Sequence, residues 1–165
     1  MEYRGHSAIY EKLAALGIPF EYYEHPPLPT AEEAMKHRHD VDALHCKNLF
    51  FRNHKGNRHY LVIFEHSNNM AIRELEQILK QGKLSFASAE RLQKYLRVIQ
   101  GSVSPLGLVY DTEQHVEVFL DQRLKDCDKI TFHPNDNTAT LALHWHDFIR
   151  FMDAMGNKYS FIDAH

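Results

Sequence analysis

The chain has 165 residues, of which 44% are hydrophobic and 25% charged, a composition that suits a globular protein with one buried core. Its 22 acidic and 19 basic residues give a formal net charge of −3, which excludes a globally basic surface and makes DNA an unexpected partner. We find no membrane-length apolar run, no signal-peptide pattern and only two cysteines, so we expect a single domain over residues 1–165 in the cytoplasm.

The first predicted elements are a short helix and a strand. Residues 7–17 have apolar side chains at helical spacing, with Ser7 placed to cap the start and Gly17 to end the helix. Residues 18–25 alternate between apolar and polar, which is typical of a strand. Prolines then stop the strand, and residues 30–33 match a capping box that predicts a second short helix.

A β-hairpin is predicted next. Residues 47–52 and 59–64 are rich in apolar and aromatic side chains and flank a polar loop at 53–57. The first of these strands opens with Lys47 and Asn48. Because an ammonium group at the mouth of a buried strand is costly unless it meets an anion, Lys47 is the first candidate for a functional residue.

The rest of the chain alternates helices and strands. Helices are predicted at 71–80, after a cap at Ser88, and at 147–155, and strands at 116–120, 129–133, 139–143 and 158–162. We find no repeat, linker or low-complexity segment. The pattern predicts an α/β fold of the α+β type: a single compact domain with a mixed, mostly antiparallel sheet or partial barrel surrounded by helices.

A glycine-bounded loop at 101–107 is predicted to be a binding loop. Gly101 allows close approach to the backbone and Pro105 stiffens it, so main-chain N–H groups here could stabilise an oxyanion. Ser102 and Ser104 suggest a serine nucleophile, but the chain lacks a Gly-x-Ser-x-Gly elbow and an obvious partner acid and base. We therefore interpret both serines as hydrogen-bonding or turn residues.

Histidine pairs and a cysteine suggest two further kinds of chemistry. His37 with His39, and His144 with His146, are spaced two apart, but neither pair has a third metal ligand at a recognised spacing. Solvated or capping roles are favoured for them, and no metal or cofactor is expected. Cys46 beside Lys47 could supply a thiolate, but strand alternation turns it to the opposite face, which favours a structural cysteine.

Five ordered blocks resemble the aminoacyl-tRNA editing domains related to the insertion domain of bacterial prolyl-tRNA synthetase, often called YbaK-like. The similarity is closest to the free-standing prolyl-tRNA editing branch and spans nearly the whole chain. The blocks are residues 24–27 with 30–34 (EHPP, TAEEA), 45–53 (HCKNLFFRN), 84–88 (LSFAS), 101–107 (GSVSPLG) and 132–140 (FHPNDNTAT). Together they are a specific signal, whereas each alone would be weak.

The resemblance implies a deacylase that hydrolyses the ester of mischarged tRNA(Pro), with alanine as the expected amino acid. Its nucleophile would be water, which the ribose hydroxyl of the substrate could activate. It implies catalytic roles for Lys47 and Gly101, the lysine holding the tRNA end. Substrate-binding roles are implied for Asn48, Ser102, Val103, Ser104, Pro105, His133 and Thr30. His133 matches a histidine that lines the amino-acid pocket, and Asn137 and Thr140 would close the turn after it.

Alternatives stay open at this level. The chain could be a non-catalytic module that binds a nucleotide or tRNA end, or a deacylase for Cys- or Ser-charged tRNA. The expected partner is the acceptor end of mischarged tRNA(Pro), with prolyl-tRNA synthetase as a second candidate and no membrane. With a net charge of −3, the tRNA body would be held by scattered cations: Arg52, Lys55, Arg58, Lys80 and Lys83.

Overall fold

The computed structural model describes residues 2–27 and 43–164. In chain order the elements are α1 (Ser7–Ala15), β1 (Glu21–Glu24), β2 (Cys46–Asn53), β3 (His59–Glu65), α2 (Ile72–Leu79), β4 (Leu84–Phe86), α3 (Ala89–Leu96), a 3-10 helix (Pro105–Tyr110), β5 (Glu117–Asp121), a second 3-10 helix (Gln122–Asp126), β6 (Lys129–Phe132), β7 (Ala139–His144), α4 (Trp145–Met155) and β8 (Tyr159–Ile162). The mixed α/β class predicted from the sequence is confirmed.

The larger sheet has five strands in the order β4-β2-β3-β5-β8. The predicted hairpin forms its centre, with β2 and β3 antiparallel and Lys47 opposite Phe64. Strand β5 pairs in parallel with both β3 and β8, so this sheet is mixed. Strand β3 is buried along almost its whole length because side chains pack on both faces of the sheet.

A smaller antiparallel sheet has the strand order β1-β7-β6. An isolated parallel bridge between Leu44 and Ile130 joins it to the segment that leads into β2. The backbone amide of Thr131 donates to the carbonyl of Leu44 at 3.0 Å, which strengthens this junction. The described strands therefore form two connected sheets, and they do not close into a barrel.

Two hydrophobic cores lie on opposite faces of the larger sheet. The main core packs that sheet against the smaller sheet and helices α1, α3 and α4, with Phe50, Leu106 and Phe148 among its members. The second core packs the other face against α2, through residues such as Phe51 and Leu75. The two cores determine which side chains of β2 point to which side of the sheet.

Most predicted bounds agree with the structure to within two residues, and Ser88 caps α3 by accepting from the amide of Arg91 at 3.3 Å. Two expectations need correction. Ser7 is the first helical residue and His6 is the N-cap, and β1 starts three residues later than position 18 predicts. The short strand β4 was not predicted. The capping box at 30–33 lies outside the described residues.

None of the described helices combines the length and apolar character that a bilayer crossing requires.

Candidate functional site

Strand β2 places Lys47 and Asn48 on opposite faces of the larger sheet. Lys47 shares a face with Phe51 of the second core, whereas Asn48 shares a face with Phe50 of the main core. Cys46 is half-buried and packs against the main core, on the side opposite Lys47, as alternation predicts. Lys47 and Asn48 therefore face different environments, one on each side of the sheet.

The ammonium group of Lys47 is held by neutral oxygens. It donates to the backbone carbonyl of Asn68 at 2.6 Å and to Oδ1 of Asn69 at 3.4 Å. Asn68 is itself fixed, since its Nδ2 donates to the carbonyl of Ala164 and its Oδ1 accepts from the amide of Met70. Among the described residues no carboxylate lies within ion-pair distance of Lys47. Its charge is thus positioned without being neutralised by these contacts.

A row of polar side chains extends from Lys47 across the smaller sheet. His45 lies two residues before Lys47 along an extended segment, and the His45 Nδ1 and Thr131 Oγ1 atoms are 3.0 Å apart. Ile130 and Phe132 point into the main core, so Thr131 lies on the other face of β6, followed two residues later by His133. We call His25, His45, Thr131, His133 and Thr140 the polar row.

Hydrogen bonds set the ring orientation at the far end of the polar row. Nδ1 of His133 is 2.7 Å from the carbonyl of Ala139, and because a carbonyl only accepts, this nitrogen carries the proton. Nδ1 of His25 likewise donates to the carbonyl of Pro26, and its Nε2 is 2.8 Å from Oγ1 of Thr140. The two imidazole rings are 5.9 Å apart. His133 and Thr140, both singled out from the sequence, therefore lie together.

The glycine loop is held rigidly. Gly101 has φ +97°, and a Cβ built on it would lie 4.0 Å from Nδ2 of Asn137, so the loop adjoins the turn after His133. Ser104 caps the 3-10 helix by accepting from the amide of Leu106 at 3.1 Å, with Pro105 at its first position. A Cβ on Gly107 would lie 2.9 Å from the carbonyl oxygen of Leu96, so only glycine fits there without a shift.

Three backbone amides of this loop are available as donors. The amide of Ser102 donates to the carbonyl of Ile99, and those of Leu106 and Gly107 both donate to Ser104. No described group accepts from the amides of Gly101, Val103 or Ser104. These three N–H groups are therefore the ones that could bind a developing oxyanion.

Two candidate residues carry buried polar atoms without a hydrogen-bond partner among the described residues. They are Oδ1 of Asn48 and Oγ of Ser102, the latter on a residue only 1% exposed. Leaving a buried polar atom without a hydrogen bond costs about 1–3 kcal/mol of folding stability, so its presence requires an explanation. A ligand that supplies the missing partner is one explanation that fits both positions.

Two clefts border these residues. An acidic cleft of about 350 Å³ lies beside the Lys47 ammonium and is lined by Glu65, Ser67, Asn68, Asn69, Met70, Glu74, Asp121, Arg123 and Ala164. A glycine-loop cleft of about 370 Å³ is lined by His6, Gln93, Arg97, Val98, Ile99, Ser102, Asn135, Asp136 and Asn137. Ser102 thus lines the second cleft, and the Lys47 ammonium contacts Asn68 and Asn69, which line the first.

The two histidine pairs that were weighed as metal ligands differ in how far the structure describes them. The rings of His144 and His146 stack 5.7 Å apart at the start of α4, and His146 is largely exposed. Within residues 2–27 and 43–164 no group of three or more His, Cys, Asp or Glu side chains could hold a metal ion. His37, His39 and the substrate-binding candidate Thr30 lie outside the described residues.

Sequence reasoning did not single out three members of the polar row: His25, His45 and Thr131. His25 and His45 lie inside two of the resembling blocks, which was the available signal. Thr131 carried none, because a buried threonine in a strand is ordinary β-sheet chemistry. Only the pairing of the Leu44 segment with β6 brings it next to His45.

Comparisons with known proteins agree with the resemblance. The family model of the aminoacyl-tRNA editing domain matches residues 25–151. The chain is 38% identical over 164 residues to prolyl-tRNA editing protein ProX of Acetoanaerobium sticklandii, covering 99% of both chains. It is 34% identical over 155 residues to prolyl-tRNA synthetase associated domain-containing protein 1 of Bos taurus, covering 92% of this chain and 90% of the other.

The fold also matches solved structures. A crystal structure described as a candidate trans-editing enzyme for prolyl-tRNA synthetase superposes with a TM-score of 0.71 at 19% identity, covering 96% of each chain. At that identity the match shows a shared fold. Because the family model covers most of the chain and a relative matches along its full length, this protein belongs to the aminoacyl-tRNA editing domain family.

Proposed function

We propose that this protein is a trans-editing deacylase that hydrolyses the ester of mischarged tRNA(Pro), with Ala-tRNA(Pro) as its main substrate. The observation that carries the proposal is the 38% identity to a prolyl-tRNA editing protein over 99% of both chains. Residues 1–165 would act as one editing domain, in the cytoplasm, where tRNA is charged.

The reaction has a clear physical need. A synthetase pocket built for proline cannot strongly reject a smaller apolar amino acid, because missing methylene groups give only about 1–3 kcal/mol of discrimination. A second enzyme that admits alanine and excludes proline by size removes the error after charging.

Lys47 is proposed to bind an anionic group of the tRNA end. Its ammonium is fixed by Asn68 and Asn69 yet contacts only neutral oxygens among the described residues, so a phosphate would gain a charge-assisted hydrogen bond. Such a contact positions the ester for attack and does not itself make or break a bond.

Asn48 and the glycine loop are proposed to contact the reacting end of the substrate. The orphaned oxygens of Asn48 and Ser102 can pair with substrate N–H or O–H groups, while the amides of Gly101, Val103 or Ser104 face the carbonyl oxygen as its charge develops. One oxyanion donor of this kind is worth about 2.7–4 kcal/mol in a hydrolase. With water as nucleophile, this stabilisation supplies much of the catalysis.

His133 is proposed to line the amino-acid pocket, together with Thr30. The hydrogen bond from Nδ1 of His133 to the carbonyl of Ala139 fixes the ring, so a wall of this pocket would be rigid. Rigidity matters here because a pocket that excludes proline by size would admit it if the lining side chains could move. Ser104 and Pro105, also predicted to bind substrate, are buried within the loop and would act by holding it in shape.

Scattered cations are proposed to hold the acceptor stem. Arg52, Lys55 and Arg58 lie at the tip of the β2–β3 hairpin, and Lys83 directly precedes β4, which pairs with Arg52 and Asn53. Lys47 lies five positions before Arg52 on the same strand, about 17 Å away at the usual strand rise. This spacing suits a tRNA end at Lys47 with its stem reaching toward the hairpin tip.

The test follows release of amino acid from proline tRNA charged separately with alanine, cysteine, serine and proline. We expect rapid loss of the alanyl ester, a stable prolyl ester, and at least a hundredfold slower reaction for Lys47→Ala. The matched control is Lys12→Ala, an exposed lysine on α1 that should react like the wild type.

Each other outcome has a distinct meaning. Binding of charged tRNA without turnover would refute the deacylase and leave a tRNA-end binding module. Faster loss of cysteine or serine would change the substrate. Selective hydrolysis that persists in Lys47→Ala would keep the enzyme and remove Lys47 from the site.

A further inference from the structure

The glycine-loop cleft contains buried polar groups that the fold itself does not use. Ser102 is 1% exposed and its hydroxyl has no partner among the described residues. Asn135 lines the same cleft; its Nδ2 donates to the carbonyl of Leu96, while its Oδ1 is buried without a partner. An ideal Cβ on Gly107 would lie only 3.2 Å from this Oδ1, so that oxygen faces the interior, and the Ser102 hydroxyl is left as the unpaired group beside the cleft that a ligand could satisfy.

Amide side chains line the cleft beside these atoms. Gln93 projects from α3, and Asn137 belongs to the turn after His133 and adjoins Gly101. A carboxamide offers a donor and an acceptor side by side, which pairs with the amino group and a ring nitrogen of adenine. The cleft therefore presents the chemistry that reads this base.

An apolar surface lies next to the amides. Ile99 is one of the few large hydrophobic side chains that are strongly exposed, at 67%, and it lines the cleft together with Val98. Bases of single-stranded RNA ends are bound through their flat faces as well as their edges. Contact with the face of a base would remove the exposed Ile99 side chain from water, which is favourable.

The charges of the cleft are mixed. The Arg97 guanidinium lies 4.9 Å from the ring centre of Tyr110, whose hydroxyl is 2.7 Å from Nδ1 of His6. Burial would raise the pKa of Asp136, but hydrogen bonds from the Thr138 hydroxyl and amide outweigh it and lower the pKa, so this carboxylate stays charged. A cleft with both signs suits one nucleoside better than a run of phosphates.

We propose that the glycine-loop cleft binds the terminal adenosine of the substrate tRNA, an inference that rests on the proposed function. Gln93 and Asn137 read the base edge and Ile99 contacts the base face. The Ser102 hydroxyl pairs with a remaining polar group, and the Asp136 carboxylate accepts from another. Because Ser102 follows Gly101 in the chain, the ribose ester is then delivered beside the amides of Gly101 and Val103. The volume of about 370 Å³ falls in the range of small-molecule sites.

The test uses adenosine 5′-monophosphate with isoleucine-methyl-labelled protein, observed by NMR. We expect a saturable shift of the Ile99 methyl signal, a smaller response to uridine 5′-monophosphate, and no shift with inorganic phosphate. Gln93→Ala should weaken binding about tenfold, since one bidentate base contact is lost. Gln77→Ala is the matched control, because Gln77 is also an exposed glutamine on a helix, α2, and does not line the cleft.

Three results would overturn the proposal: no shift at Ile99, an equal shift with phosphate alone, or unchanged affinity in Gln93→Ala. The measurement needs no turnover, so it separates two kinds of failure. Adenosine binding at Ile99 without deacylation would refute the proposed function alone. Deacylation of Ala-tRNA(Pro) without a response at Ile99 would refute this cleft as the adenosine site and leave the enzyme intact.

Discussion

Two serines of the glycine loop provide a paired test of the site, because both are buried but only one has a hydrogen-bond partner. Ser104 accepts from the amide of Leu106, whereas the hydroxyl of Ser102 has none among the described residues. Replacing each serine with alanine removes the same oxygen atom. The sign of the stability change should nevertheless differ.

The size of each stability change follows from the hydrogen bonds that the two serine hydroxyls make or lack. Ser102→Ala removes a buried orphan whose burial costs about 1–3 kcal/mol, so the free protein should become more stable, by about 1 kcal/mol after loss of some packing. Ser104→Ala removes a cap worth about 0.5–2 kcal/mol and leaves the Leu106 amide unsatisfied. In a chain of this length 1 kcal/mol shifts Tm by about 2–4 °C.

Differential scanning calorimetry of the two variants measures the direction of each stability change. The deacylation assay tests whether the Ser102 hydroxyl binds the substrate. Ser102→Ala should raise Tm yet lower kcat/KM for Ala-tRNA(Pro) by about tenfold, because a hydrogen bond to the substrate is lost. The reasoning fails if Ser102→Ala lowers Tm as much as Ser104→Ala does. It also fails if the Ser102 variant gains stability and keeps full activity.

Further predictions concern pH, packing and salt. Burial, helped by the nearby charges of His115 and Arg91, lowers the pKa of His59 from 6.5 to about 4. Between pH 6.5 and pH 4 the His59 ring binds a proton in the unfolded chain but not in the folded one. The free energy of unfolding is therefore full above pH 6.5 and falls by roughly 3 kcal/mol toward pH 4. Urea unfolding of His59→Gln should show a weaker fall over the same pH range. Gly107→Ala should cost about 1–3 kcal/mol in unfolding free energy, because its Cβ meets the Leu96 carbonyl. Finally, KM for Ala-tRNA(Pro) should rise with salt as phosphate contacts weaken.

Each of these has an opposing result. Equal pH dependence of wild type and His59→Gln would mean that His59 titrates normally in the folded protein. An unchanged unfolding free energy for Gly107→Ala would show that the loop can move away from Leu96. A KM independent of salt would remove the cations from substrate binding.

The fold was predictable from the sequence wherever local pattern determines structure. The β2–β3 hairpin, the Ser88 cap and α2 follow from alternation, turn residues and helical spacing, and the structure confirms them. Ser7 was less predictable because its hydroxyl makes no capping bond and the chain turns one residue earlier, at His6. Strand β4 is only three residues long and carries too little pattern to be recognised.

The candidate site was predictable only in part. Sequence blocks single out Lys47, Gly101 and His133 as candidates, and their roles stay predictions. Strand alternation also predicts that Lys47 and Asn48 face opposite sides of the sheet. The contact of His45 with Thr131 depends on a pairing between distant segments, which no local pattern encodes. The orphaned atoms of Asn48 and Ser102 emerge only when every neighbouring donor and acceptor is known.

The junction between the two sheets has a consequence for how activity is acquired. Leu44 and Thr131 are 87 positions apart, and their contact must close a long loop before it gains any stabilisation. Contacts of such range slow folding and form late. A nascent or truncated chain that lacks β6 could form the hairpin that carries Lys47 but not the row that leads from it to His133. We therefore expect deacylase activity to return on refolding in step with the slowest kinetic phase, and no fragment that ends before β6 to be active.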